Sequence, residues 1–183
     1  MDTWVWIVIA AVAAAVLVLL LATWAAERRR RVHLQERFGS EYDRAVADAR
    51  RRRDAERELA EREERRERLD VRPLSSAARE RYREEWGDVQ ARFVDDPEGA
   101  VRQADGLLVR VLEERGYDVD DDPARRAADV SVDHPEVVQR YRHGHDMLQA
   151  RHGDDGTENL RKAMVDFRAT FEELIEEERP VTA

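Results

Sequence analysis

Cysteine is absent from the chain. That excludes a disulfide framework, a thiolate metal site and a lipoprotein anchor. Lysine occurs once, at Lys162; every other basic residue is arginine. We read this bias as the codon usage of a GC-rich genome. Glycine (8) and proline (5) are sparse, and no glycines cluster into a phosphate-cradling loop or a dinucleotide fingerprint. Neither the nucleophile elbow G-x-S-x-G nor the zinc motif H-E-x-x-H occurs. The sequence therefore assigns no catalytic, cofactor-binding or metal-binding residue and implies no cofactor, and the chain is read as a non-enzyme.

What is present is charge. Charged residues make up 40% of the 183 positions, with a formal net charge of −9. The two parts of the chain differ. Residues 1–73 hold 16 arginines against 14 acids, a net of +2, and residues 74–183 hold 16 basic residues against 27 acids, a net of −11. An acidic domain repels a phosphate backbone, so no nucleic-acid partner is expected.

One run carries no charge at all. Thr3 to Ala26 reads TWVWIVIAAVAAAVLVLLLATWAA. About 20 residues cross the hydrocarbon core of a bilayer, so this run suffices. Trp4 and Trp6 stand near one end and Trp24 near the other, as in the aromatic belts of two interfaces. Arg28, Arg29, Arg30 and Arg31 follow directly, whereas only Asp2 precedes. The positive-inside rule then predicts an N-terminus outside and the remainder in the cytoplasm. A cleaved signal peptide needs charge before its apolar core and a shorter core. The expected location is the cell membrane, with a single pass and the lipid bilayer as first partner.

Beyond the anchor, Gly39 and Ser40 interrupt the helix. From Glu41 to Asp70 there is no Gly or Pro, and 21 of 30 residues are charged. Opposite charges recur at helical spacing: Asp48 with Arg52, Glu58 with Arg62, Glu61 with Arg65, Glu64 with Arg68. Each such pair stabilises a helix by about 0.2–0.5 kcal/mol. Apolar positions fade after Ala49, so no coiled-coil seam is expected. The segment reads as a continuous charged helix, either a plain solvated one or a stiff spacer of roughly 45 Å. The run Arg50–Arg53 offers contact with lipid or phosphate, but its alternation with Glu further on favours a plain solvated face.

Pro73 opens a region of strong helical periodicity. Tyr82, Trp86, Val89 and Phe93 share one face of a first helix, capped by Ser75 or Ser76. Asp96-Pro97 opens a second helix carrying Val101, Ala104, Leu108, Val111 and Leu112, ended by Gly116. His134-Pro135 opens a third with Val138, Tyr141, His145 and Leu148 inward, and Thr157 caps a fourth with Leu160, Met164, Phe167, Phe171 and Leu174. The long link from Gly116 to Asp133, with a short helical turn after Asp122-Pro123, packs on the bundle through Val119, Val130 and Val132. The fold class is all-α: a transmembrane helix, a long charged helix and a small four-helix bundle-like domain. The expected divisions are an anchor at 1–38, a charged stalk at 39–72, a bundle at 73–178 and a tail at 179–183.

The strings RFGSEYDR (37–44), FVDDP (93–97), RGY (115–117), SVDHP (131–135) and TENLRKAM (157–164) resemble an uncharacterised family of single-pass membrane proteins from high-GC, actinobacterial-type bacteria. The resemblance runs over most of residues 34–175. It implies this same architecture and brings no activity, catalytic residue or cofactor with it.

Two weak patterns carry the remaining chemistry. Asp118, Asp120 and Asp122 mimic positions 1, 3 and 5 of a calcium loop, but Pro123 stands where the sharp turn needs Gly, and Asp129 replaces the bidentate Glu. His143 and His145 lie about 200° apart on a helix, and His134, His145 and His152 are spaced too far to share one ion without another helix. Two functions follow. The first is a membrane-anchored protein-interaction or scaffolding module that offers Asp118, Asp129, Asp133 and His134 to a cytoplasmic protein partner. The alternative is a metal-dependent or enzymatic domain using His134, His145 and the nearby Asp129 and Asp133.

Overall fold

The computed structural model describes residues 3–120, 122–150 and 156–176. They form eight helices and no strand: α1 (Thr3–Phe38), α2 (Ser40–Asp48), α3 (Arg52–Glu67), α4 (Ser76–Arg92), α5 (Pro97–Arg115), α6 (Pro123–Val130), α7 (Pro135–Gln149) and α8 (Gly156–Glu176). The all-α expectation holds.

The C-terminal helices follow the apolar periodicity of the sequence. Ser75 caps α4 by accepting from the Ala78 N–H at 3.1 Å, and Asp96 caps α5 by accepting from the Gly99 N–H at 2.9 Å. Asp122 does the same for α6, so the short turn after Asp122-Pro123 is a two-turn helix. Pro135 occupies the first turn of α7, but the His134 side chain makes no cap bond. Thr157 falls inside the first turn of α8 rather than capping it. Gly116 ends α5 with φ +94°, the left-handed conformation that only glycine adopts without strain. α8 packs against α5 and α7, and α4 packs on α5. Their core includes Trp86 stacked on Phe171 at 4.7 Å between centroids. At Gly144, α7 approaches α8 so closely that an added Cβ would stand 2.6 Å from Phe167 Cε1.

The charged segment differs from the expected continuous stalk. Gly39, with φ +48°, separates α1 from α2, and a second break at 49–51 separates α2 from α3. At that break Ala49 and Arg51 are extended. α2 and α3 pack on each other as a hairpin, and both touch α1. Leu34, Phe38, Tyr42 and Leu59 from these helices join Val132 in a second buried cluster. A residue of this size stabilises by roughly 1.5–3 kcal/mol on burial. Interrupting a helix forfeits a few backbone bonds worth about 1 kcal/mol net each. Five buried side chains outweigh that loss, and folding back wins over a straight rod.

Contacts along the helices give the directions. Glu27 pairs with Arg53, Arg31 with Glu56 and His33 with Glu63, so α3 runs parallel to α1. α2 returns between them. Two of the expected i,i+4 pairs form, Glu58–Arg62 and Glu64–Arg68. Elsewhere the charges choose other partners: Asp48 pairs with Arg44 and Arg65 with Asp129.

Candidate functional site

Two features stand apart from ordinary packing. The first is α1. Its segment Ala11–Phe38 is long and apolar enough to cross a membrane, and it is the one such helix among the described residues. Val12, Val16 and Leu17 to Leu21 are all at least half exposed, with no protein surface over them. Trp4, Trp6 and Trp24 are equally bare. Arg28 lies over the Trp24 ring at 5.6 Å, and Arg28, Arg29 and Arg30 point to solvent.

The second feature is a seam of buried carboxylates that joins α1–α3 to the bundle. Asp133, in the α6–α7 link, has a side chain 0% exposed. It accepts hydrogen bonds from Arg37 of α1 at 3.3 Å, from Arg66 of α3 and from the Tyr117 hydroxyl at 2.7 Å. Burial first, and then the Asp133 carboxylate, push the Tyr117 phenol far above the ordinary tyrosine range, so it stays a donor. Glu41 of α2, 2% exposed, accepts from Arg62 of α3 at 3.2 Å and from Arg142 of α7 at 2.8 Å. Ser40 accepts from Gln139 at 2.7 Å and donates to Glu136. Removing one member of such a network leaves a buried opposite charge, which is why these contacts fix the docking of the hairpin more firmly than surface pairs do.

The four residues read from the sequence as an interaction loop therefore separate. Asp133 is inside the seam. Asp129 faces the protein's own Arg65 at 3.4 Å. His134 is buried at the start of α7, its ring 6.5 Å from that of Tyr117. Asp118 alone is exposed, and it lines an open cleft of about 520 Å³ between α3 and α6 with Asp120, Arg65 and Arg125.

The residues of the metal-dependent alternative do not meet either. His145 sits a helix away from that seam, bonded to Asp105 at 3.0 Å and edge-on to Tyr141. Among the described residues no group of three His, Asp or Glu side chains is placed to hold an ion. His152 and Gly153 lie outside the described residues, as does the 179–183 tail. Asp105, His145, Tyr141 and Arg126 form a compact polar knot that brings together three helices and is not visible from helical spacing alone. Its one sequence signal was the i,i+4 placement of Tyr141 and His145 on an inward face. Burial raises the Asp105 carboxyl, but the His145 hydrogen bond and the Arg126 charge overcome it and hold the group below the ordinary carboxylate range.

We find no family model, no curated protein and no solved structure that matches the chain.

Proposed function

We propose that the chain is a single-pass protein of the cell membrane, anchored by α1, whose helical body lies in the cytoplasm and serves as a protein-interaction or scaffolding module. The observation that carries this reading is the bare apolar shell of α1 followed at once by Arg28–Arg31. In water such a shell has no cover, whereas a bilayer supplies it, and the arginines favour the cytoplasmic side. The reading is non-catalytic because Asp133 and Glu41 are engaged with the protein's own arginines, and His145 with Asp105 and Tyr141. The cleft beside Asp118 is then the surface left to a protein partner.

The absence of cysteine makes the topology test clean. Single replacements Asp2→Cys and Val94→Cys, the second at an exposed position beyond α4, are labelled in intact cells with a membrane-impermeant maleimide. Labelling of the first only, with the second reached after permeabilisation, supports the reading. The opposite pattern sinks the orientation. For the module, in-cell crosslinking of the full chain is compared with Asp118→Arg/Arg125→Glu. A partner that survives those replacements unchanged removes the cleft from the account.

A further inference from the structure

A straight stalk would carry Arg50–Arg53 away from the membrane. The hairpin instead returns them to it. Arg53 Nη2 lies 3.3 Å from Glu27 Oε1, and Glu27 is the last residue before the four arginines of α1. One helical turn further on, Arg31 Nε lies 3.3 Å from Glu56 Oε1. Arg30 and Arg31 of the run 28–31 thus stand beside Arg52 and Arg53 of the run 50–53, within about two helical turns of Trp24.

Between them is a cleft of about 250 Å³. Arg30, Arg31, Arg52, Arg53 and Arg57 line it, with Glu27 and Glu56 as the only acids, a net of +3. The local acids take up three of these five charges and leave those of Arg30 and Arg52. Arg53 pairs with Glu27, Arg31 with Glu56 and Arg57 with Asp54, and no carboxylate stands within 4 Å of Arg29, Arg30, Arg50, Arg51 or Arg52 among the described residues. Guanidinium forks in this arrangement match phosphate oxygens.

We propose that Arg30 and Arg31 of α1 with Arg52, Arg53 and Arg57 of α3 form one site for the phosphate of anionic phospholipid headgroups, and that the α2–α3 turn thereby holds the helical body against the membrane surface. This inference rests on α1 crossing a bilayer. A lipid source is favoured over a dissolved anion because the cleft opens at Glu27, one helical turn past Trp24 and just beyond the apolar shell of α1, at headgroup level. The rest of the body, with its net of −11 over residues 74–183, is repelled by an anionic surface, so the arginine turn is the part that can approach.

The test uses the full chain in nanodiscs of either phosphatidylcholine alone or phosphatidylcholine with phosphatidylglycerol. Ala47→Cys, on the exposed side of α2 next to the turn, carries a fluorophore, and the discs contain a headgroup-attached quencher. Quenching of the native tryptophans by brominated acyl chains, read in the same discs, reports whether α1 is inserted. Near the surface each arginine strengthens attraction to anionic lipid about fivefold. We expect stronger quenching of the label in the anionic discs. Arg50→Gln/Arg51→Gln/Arg52→Gln/Arg53→Gln should abolish the difference, and the charge-matched Arg83→Gln/Arg102→Gln/Arg161→Gln/Arg168→Gln, at exposed positions away from both clefts, should keep it. Equal quenching in both discs, with α1 inserted, overturns the lipid site. Loss of tryptophan quenching instead overturns the anchor on which it rests. If inorganic phosphate, at constant ionic strength, displaces the label equally from both discs, the site is one for a free anion and the lipid assignment fails.

Discussion

Truncating Asp133 to alanine probes the seam at its most buried point. The carboxylate receives three donors, from Arg37, Arg66 and Tyr117, and is shut off from water. Removing one partner of a fully buried ion pair costs about 3–5 kcal/mol. Here the arginine side chains keep 28% and 14% exposure, so solvent takes back part of that loss. About 2–3 kcal/mol remains, and the stranded Tyr117 hydroxyl adds about 1 kcal/mol. The expected destabilisation for Asp133→Ala is therefore about 3–4 kcal/mol, a large share of the ordinary stability of a small domain. Asp133→Asn keeps one acceptor oxygen for Tyr117 but loses the charge and turns the other oxygen into an NH2 donor beside Arg37, so it should fall between wild type and alanine. Urea unfolding of the full chain in micelles, followed by helical circular dichroism, measures both. Hydrogen exchange should also rise in α3, which loses its Arg66 contact, before it rises in α8. An alanine variant within about 0.5 kcal/mol of wild type, the range of a neutral surface change, would refute the seam as a source of stability.

Other expected outcomes follow from the same geometry. Gly144→Leu forces side-chain atoms into Phe167 and should cost at least about 1–3 kcal/mol, with Gly144→Ala milder, both read by thermal unfolding. Asp105 is held below the ordinary carboxylate range, so its contribution is present above the unfolded-state pKa and is lost as pH falls through the lower folded value. Unfolding of Asp105→Asn across the acid range should show a gap from wild type that is full at neutral pH and closes on that acid limb. Ser75→Ala removes the α4 cap and should cost about 1 kcal/mol, with Ser76→Ala close to neutral.

The bundle was legible because its helices advertise themselves. Tyr82, Trp86 and Val89, or Leu160, Phe167, Phe171 and Leu174, repeat at helical spacing and are all buried on one face. α1 was legible from its uncharged run. The hairpin was not, because its information is non-local. Leu59 looked like a stray apolar residue in a charged helix, and it is buried only because Leu34, Phe38 and Val132 come to it from distant positions. No Gly or Pro marks the break at 49–51. Local charge pairs support a helix equally well whether it stands alone or packs, and they said nothing about Arg62 reaching Glu41. The acidic loop was misleading for the same reason. Asp133 looked solvated in its own neighbourhood, while its partners Arg66 and Arg37 stand 67 and 96 residues away. Asp118, without such a partner within hydrogen-bonding reach among the described residues, kept the exposure its sequence setting implied.

The charged segment folds back along α1 instead of extending from it, and this sets the distance between positions 33 and 63. Here the His33 Nε2 and Glu63 Oε1 atoms are 2.8 Å apart. In a continuous helix the same positions would be separated by about 45 Å. With no native cysteine to interfere, His33→Cys and Glu63→Cys accept spin labels in the full chain, and pulsed dipolar spectroscopy reads their separation in a bilayer. The hairpin requires a single population at the short limit of the method. A population centred near the length of the straight helix would contradict it, and with it the placement of Arg50–Arg53 at the membrane.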